Sequence, residues 1–263
     1  MYAFEYQHPK SVADAAAALA RTGGKALAGG QSLVGAMKLR LANPGTIVDL
    51  SGIPDLKGIR KEGDAIVIGA LTTHAEVASS STVKQSIPAL AALAEGIGDR
   101  QVRNRGTIGG SLANNDPAAD YPAAALGLGA TLVTNKRKIA AADFFKGVYE
   151  TALAADEIIT AVSFPIPKKA AYAKFPQPAS RFALVGVFVA VTGNGVRVAV
   201  TGAGAHVHRA TAIENALTQN FSAAAAKAVK IPADHLNNDL HGSAAYRAHL
   251  VSVMAAQAVA TIA

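Results

Sequence analysis

The sequence predicts an α+β fold in three units, and three observations carry that prediction. Helical and strand-like segments alternate without the regular βαβ spacing of a doubly wound sheet. Two short stretches built on adjacent glycines, "LAGGQSL" at 27–33 and "TIGGSLANNDPAADYP" at 107–122, interrupt the apolar pattern in the first two units. A proline-rich stretch, "PIPKKAAYAKFPQPAS", reads as the connection to a Val-rich third unit. With 263 residues, 51% of them apolar, the chain can bury a substantial core.

The first unit spans 1–75. "SVADAAAALARTGG" reads as a helix with Ser11 as N-cap, Asp14 in the capping-box position and Gly23 as C-cap. After "KALA" and the first Gly-Gly pair, Leu33, Met37 and Leu41 recur at helical spacing until Asn43-Pro44-Gly45 stops the run. "TIVDL" and "AIVIGALT" read as strands. In the second unit, 76–167, the Ala/Leu pattern from His74 to Gly98 predicts two helices broken at Pro88. The second Gly-Gly stretch follows, then strands at "ATLVTN" and "EIITAVSFP". The third unit, 168–263, opens on a hairpin in which Thr-Gly-Asn-Gly joins two Val-rich runs. Two helices, "RATAIENALTQN" and "SAAYRAHLVSVMAAQAVATIA", close it.

Composition narrows the chemistry. The chain has no cysteine, which excludes disulfides, thiol catalysis, thiolate zinc sites and iron-sulphur clusters held by this chain. Redox chemistry would therefore use a bound organic cofactor. A formal charge of +7 favours an anionic ligand, but the basic residues are dispersed and only 5% of residues are aromatic, which argues against nucleic acid. The first residues show no export signal, and the longest apolar runs fall short of the roughly 20 residues of a membrane span. A cytoplasmic protein is the expectation.

The chain lacks a Rossmann fingerprint. Its Gly-x-Gly pairs begin at Gly96, Gly127, Gly193 and Gly202, none with the third glycine in place, and no P-loop is present. Each Gly-Gly stretch has two readings. One is a tight turn; the other is a loop whose backbone N–H groups cradle an anion at a helix start. In the second reading glycine admits a phosphate close to the main chain, and Gln31, Ser32, Thr107 and Ser111 add donors. Asp120 stands where it could accept from a ribose. His206 and His208 could ligate a metal or mark a strand end. Arg100, Arg103 and Arg105 could steer an anionic cofactor or lie at a subunit surface. Asp116 and Asp120 lie four apart, but Pro117 and Pro122 argue against one helix presenting both.

"AGGQSLVGAMKLRLANPGTIVDLSGI" and "IGDRQVRNRGTIGGSLANNDPAADYPAAALGLGA" closely resemble the FAD-binding medium subunit of molybdenum hydroxylases. The resemblance continues through "YAKFPQPASRFALVGVFVAV" to the closing helix. It implies a vanillyl-alcohol-oxidase-type FAD-binding fold of two α+β subdomains, followed by a C-terminal domain of antiparallel sheet and helices. It implies that Leu27, Ala28, Gly29, Gly30, Gln31, Ser32 and Leu33 form one pyrophosphate loop, and Thr107, Ile108, Gly109, Gly110 and Ser111 the other. Asp120 would serve the ribose, with Asn114 nearby; Ile97 would pack on the isoalloxazine, and Ile159 and Lys174 would line the flavin. FAD would be held non-covalently, since no cysteine or histidine occupies an attachment point. Molybdopterin and iron-sulphur clusters would sit on separate large and small partner subunits, and this chain would carry electrons from the iron-sulphur subunit to an external acceptor. A self-sufficient flavin oxidase or reductase of the same superfold, or a non-enzymatic assembly protein, are the alternatives.

Overall fold

The computed structural model describes residues 1–263 as three main sheets and a two-stranded ribbon, Phe145–Gly147 with Glu150–Thr151, with helices between and around them. The first sheet is small and parallel: Thr46–Asp49 lies between Glu5–Gln7 and Lys25–Leu27. The helix Val12–Thr22 covers it with Ala15, Ala18 and Leu19. Its ends follow the sequence expectation: Ser11 Oγ accepts from the Asp14 N–H, and Gly23 closes the helix at φ 61°.

The second helix is shorter than its periodicity predicts. It spans Leu33–Lys38, because Arg40 turns to φ 61° and the N–H groups of Leu41 and Ala42 both turn back to the Ala36 carbonyl. Leu39 and Leu41 are left exposed instead of extending a buried stripe.

The second sheet is antiparallel, in the order Ile59–Glu62, Ala65–Gly69, Ile159–Pro165, Thr131–Thr134, Lys138–Ala140. The hairpin 59–69, counted with the first unit from sequence, thus belongs to the second sheet: Ala65–Gly69 pairs directly with Ile159–Pro165. The Ala/Leu stretch after His74 forms three helices rather than two, His74–Ser79, Ser81–Ser86 and Pro88–Glu95. Ser80 makes the extra break by ending one helix and capping the next through the Val83 N–H. Pro88 opens the third at its first turn, where a missing N–H costs nothing.

The third sheet orders Lys169–Pro176, Ala183–Thr192, Gly195–Thr201 and His208–Arg209, all antiparallel. Residues 169–176, read from sequence as a connection, are therefore an eight-residue strand. Their position on the sheet edge explains the misreading, since an edge tolerates the Pro176 that closes the strand. The hairpin turn at Thr192–Gly195 and the helices Thr211–Gln219 and Ala244–Ala260 follow the sequence, and a short helix, Ala223–Ala228, adds to them.

The helix Tyr121–Leu128 has every residue buried. It lies between the second and third sheets, so Phe188, Ala190 and Ala199 of the third sheet join one core with Ile66, Val162 and Leu132 of the second. At Gly127 the approach is close: a Cβ there would stand 2.9 Å from the Phe188 ring.

Glu157 locks the turn that leads into Ile159–Pro165. Its buried carboxylate accepts from Arg137 Nε and Nη2 at 3.0 Å, from Thr134 Oγ1 at 2.7 Å and from the Ala154 N–H at 3.0 Å. The Arg137 guanidinium, aided by these donors, holds the carboxyl at about 2 against an ordinary value of 4.5. The unfolded chain takes up this proton first, so the contribution is complete above about pH 4.5 and fades as pH falls towards 2. Glu157→Gln is expected to cost about 2 kcal/mol at pH 7. It is also expected to flatten the acid limb of stability, as read by urea unfolding across a pH series.

Candidate cofactor site

The two glycine stretches come together. The loop Ala28–Ser32 runs from the strand Lys25–Leu27 into the helix Leu33–Lys38. Gly29 packs on the backbone of Arg105 and Gly106, where any Cβ would collide, and a Cβ on Gly110 would stand 3.3 Å from Ala28 Cβ. A cavity of about 320 Å³ opens at this junction, lined by Leu27, Ala28, Gly29, Gly30 and Gln31 together with Val34, Asp49, Ser51 and Arg105. Of the three arginines in "DRQVRNRG", Arg105 reaches this cavity. Arg103 is buried and braces the turn before it, donating to the carbonyls of Ile97 and Gly98 and pairing with Glu95.

The loops differ in what their backbone offers. None of the six N–H groups from Ala28 to Leu33 donates to an acceptor within the chain, and Gly30 adopts φ 75°. The loop is half-buried at Ala28–Gly30 and Leu33 and exposed at Gln31 and Ser32, so its donors are open to an acceptor from outside the chain. At the second loop the N–H groups are engaged: Ile108 donates to Thr72 O, Gly109 to Ala70 O, Gly110 to Thr107 Oγ1 and Ser111 to Thr107 O. Thr107 thus caps the helix Ile108–Asn114. Gly109 serves packing, since a Cβ would stand 2.5 Å from Ala70 Cβ and 2.7 Å from Ala70 O. Open backbone donors are thus a property of the first loop, and the second packs against it with its N–H groups engaged.

Asp49, overlooked in the sequence, brings a carboxylate to the cavity. Burial pushes its pKa up, but the Tyr6 hydroxyl and the Ser51 N–H outweigh that and leave it below the ordinary range. The signal for it was available, because a strand ending in "VDL" beside a glycine loop presents its Asp at that edge.

Three of the remaining predicted residues, Ile97, Asp120 and Lys174, gather at a second place. Lys174 Nζ lies 2.9 Å from Asp120 Oδ1, 2.9 Å from the Gly96 carbonyl and 3.0 Å from the Arg181 carbonyl. Its three N–H donors are therefore all used within the chain. The Gly96 contact sets it beside half-buried Ile97. Asp120 is buried, and Tyr172 donates to the same Oδ1 at 2.5 Å. Burial pushes the Asp120 carboxyl above its ordinary pKa, while Lys174 and Tyr172 pull it back. Asp120 thus meets a lysine and a tyrosine of the third sheet. Ile159 is buried in the core, and Asn114 is half-buried at the end of its helix. The adjacent Asn115, in the left-handed region at φ 45°, ties the helix to the carbonyls of Gly147 and Glu150. His206 and His208 each bond a backbone carbonyl.

This architecture matches known proteins along its length. Residues 2–167 match the family model described as FAD binding domain in molybdopterin dehydrogenase, and residues 170–262 match CO dehydrogenase flavoprotein C-terminal domain. The chain belongs to this flavoprotein family. It is 36% identical to the carbon monoxide dehydrogenase medium chain of Afipia carboxidovorans, over 97% of this chain and 95% of that one. The nicotine 6-hydroxylase medium subunit of Paenarthrobacter nicotinovorans is also 36% identical, over 95% of this chain and 93% of its own length. Among solved structures, carbon monoxide dehydrogenase from Hydrogenophaga pseudoflava superposes with a TM-score of 0.90 at 37% identity, covering 98% of this chain and 96% of that one. Quinoline 2-oxidoreductase from Pseudomonas putida 86 gives 0.89 at 29% identity, over 99% and 96%. The α+β fold with its antiparallel C-terminal sheet is that of the flavoprotein family.

His74 backs the second loop. A Cβ on Gly106 would stand 2.5 Å from His74 Nε2, and the His74 ring lies 5.3 Å from that of Tyr121. His74 Nδ1 and the Tyr121 hydroxyl are buried without a partner in the chain. Burial and the nearby Arg103 lower the His74 pKa from 6.5 to about 4. Between those values the unfolded chain binds a proton that the folded chain does not, so stability is expected to fall as pH drops from 6.5 towards 4. His74→Phe is expected to remove that slope in unfolding titrations. Gly109→Val is expected to cost about 3 kcal/mol through the Ala70 collision. Gly110→Ala meets only Thr107 Oγ1 at 2.9 Å and Ala28 Cβ at 3.3 Å, so its thermal midpoint is expected to stay far closer to that of the parent.

Proposed function

We propose that the chain is the FAD-binding electron-transfer subunit of a molybdenum hydroxylase complex. The observation that carries this reading is the set of six unbonded N–H groups from Ala28 to Leu33 beside the cavity that Arg105 also lines. Backbone donors and one cation suit a pyrophosphate, and at about 1.5–3 kcal/mol for each charge-assisted bond a few suffice for retention. Leu27, Ala28, Gly29, Gly30, Gln31, Ser32 and Leu33 form the cradle. Thr107, Ile108, Gly109, Gly110 and Ser111 form its wall, with Asn114 behind them.

Ile97 supplies an apolar contact for the ring system, and Ile159 supports it from the core. Lys174 acts through its positive field, because its donors are engaged, and Asp120 acts by holding Lys174 in place. The bound flavin supplies the interchange between one-electron and two-electron transfer. The chain supplies binding, orientation and charge; residues for substrate acid/base chemistry are assigned to none of its side chains. Electrons reach it from a small iron-sulphur subunit, which draws them from a large molybdopterin-binding subunit where substrate is oxidised. They leave to an external acceptor. A carbon monoxide dehydrogenase medium chain and a nicotine 6-hydroxylase medium subunit among the relatives support this division of labour. No helix is long and apolar enough to cross a membrane; the proposal places the complex in the cytoplasm.

The purified chain is expected to take up one FAD per chain and to release it on denaturation. Gln31→Glu puts a carboxylate at an exposed position of the cradle, where it repels the pyrophosphate. It is expected to weaken FAD binding about ten-fold while leaving the melting temperature of the flavin-free protein unchanged. Undiminished FAD affinity in that variant would remove the cradle assignment.

A further inference from the structure

A second groove lies where the FAD-binding half meets the C-terminal half, and it is basic. Its volume is about 540 Å³, within the range of small-molecule sites. Lys61 comes from the strand Ile59–Glu62, Gln85 and Ser86 from the end of the helix Ser81–Ser86, and Lys168 and Lys169 from the start of the third sheet. No carboxylate lines the groove. None of the three lysines takes part in an ion pair within the chain. Lys169 is held in place, its Nζ donating to the Ile262 carbonyl at 2.9 Å and lying 5.2 Å from the Phe221 ring centre.

Three lysines lining one groove with no carboxylate among them give it a positive field, which favours an anion. The negative end of the helix Ser81–Ser86 and the positive end of Pro88–Glu95 meet on the groove wall and offset one another, which leaves the lysines to set the field. The pair "KK" at 168–169, which the electron-transfer reading leaves unused, thereby acquires a role.

We propose that this groove binds a small phosphate-bearing anion, at a site separate from the cofactor cradle. The eight residues of Pro88–Glu95 put about 12 Å between it and the Gly96–Lys174 contact at the far end of that helix. A ligand here touches both halves of the chain and stabilises their junction.

Titration of the FAD-saturated protein with sodium pyrophosphate at low ionic strength tests the proposal. Calorimetry is expected to show one equivalent bound and the melting temperature to rise. The Lys61→Gln/Lys168→Gln/Lys169→Gln variant is expected to bind at least ten-fold more weakly with unchanged flavin content. Lys168→Gln alone, at an exposed position, is expected to show a smaller loss and guards against misfolding of the triple variant. Gln31→Glu is expected to leave pyrophosphate binding intact, which separates this site from the cradle. Parallel titrations with ADP and inorganic phosphate distinguish a nucleotide from free phosphate as the ligand class. Absence of binding to all three anions, or undiminished affinity in the lysine variants, would overturn it.

Discussion

The structure depends on one buried carboxylate. Asp120 lies at the start of a helix with no exposed residue and receives Tyr172 and Lys174 from the first strand of the C-terminal sheet. A charge removed from water is tolerable only when paired and hydrogen-bonded, and this one is both. Lys174 carries the connection onward to the carbonyls of Gly96 and Arg181. Loss of one partner would leave the other buried and unpaired, so the contact fixes the register between the two halves of the chain.

The two glycine stretches show how the same residues serve opposite ends. In "AGGQS" the backbone leaves its donors open and Gly30 supplies the positive φ that shapes the loop. In "TIGGS" the N–H groups from Ile108 to Ser111 each have an acceptor, and Gly109 is needed because Ala70 leaves no room for a side chain. Neither role can be told from composition. The difference lies in whether another strand passes within hydrogen-bonding distance, and that is a tertiary fact.

Local signals were legible wherever the chain decides locally. The Ser11 cap, the Gly23 stop and the Thr-Gly-Asn-Gly hairpin all stand as the sequence indicates. The strand Lys169–Pro176 was not legible, because the prolines around it argue for a connection and only its edge position makes Pro176 harmless. The grouping of strands was hidden for a similar reason: the hairpin 59–69 joins a strand nearly a hundred residues away. At the site, the motifs located the first loop and its wall, whereas Asp49 and Arg105 reach the cavity through packing alone. Asp120 stands out in the sequence, and its partners Lys174 and Tyr172, more than fifty residues on, become visible only in the fold.

The helix Tyr121–Leu128 is built almost wholly from small and apolar residues, and sheets lie against it on both sides. It belongs to the stretch matched as the FAD-binding domain, yet much of its cover comes from the stretch matched as the C-terminal domain. Neither half can open without baring a surface that the other half keeps dry. Two modules that are separable as families share one buried core in this chain, and the seam between them is packed as an interior.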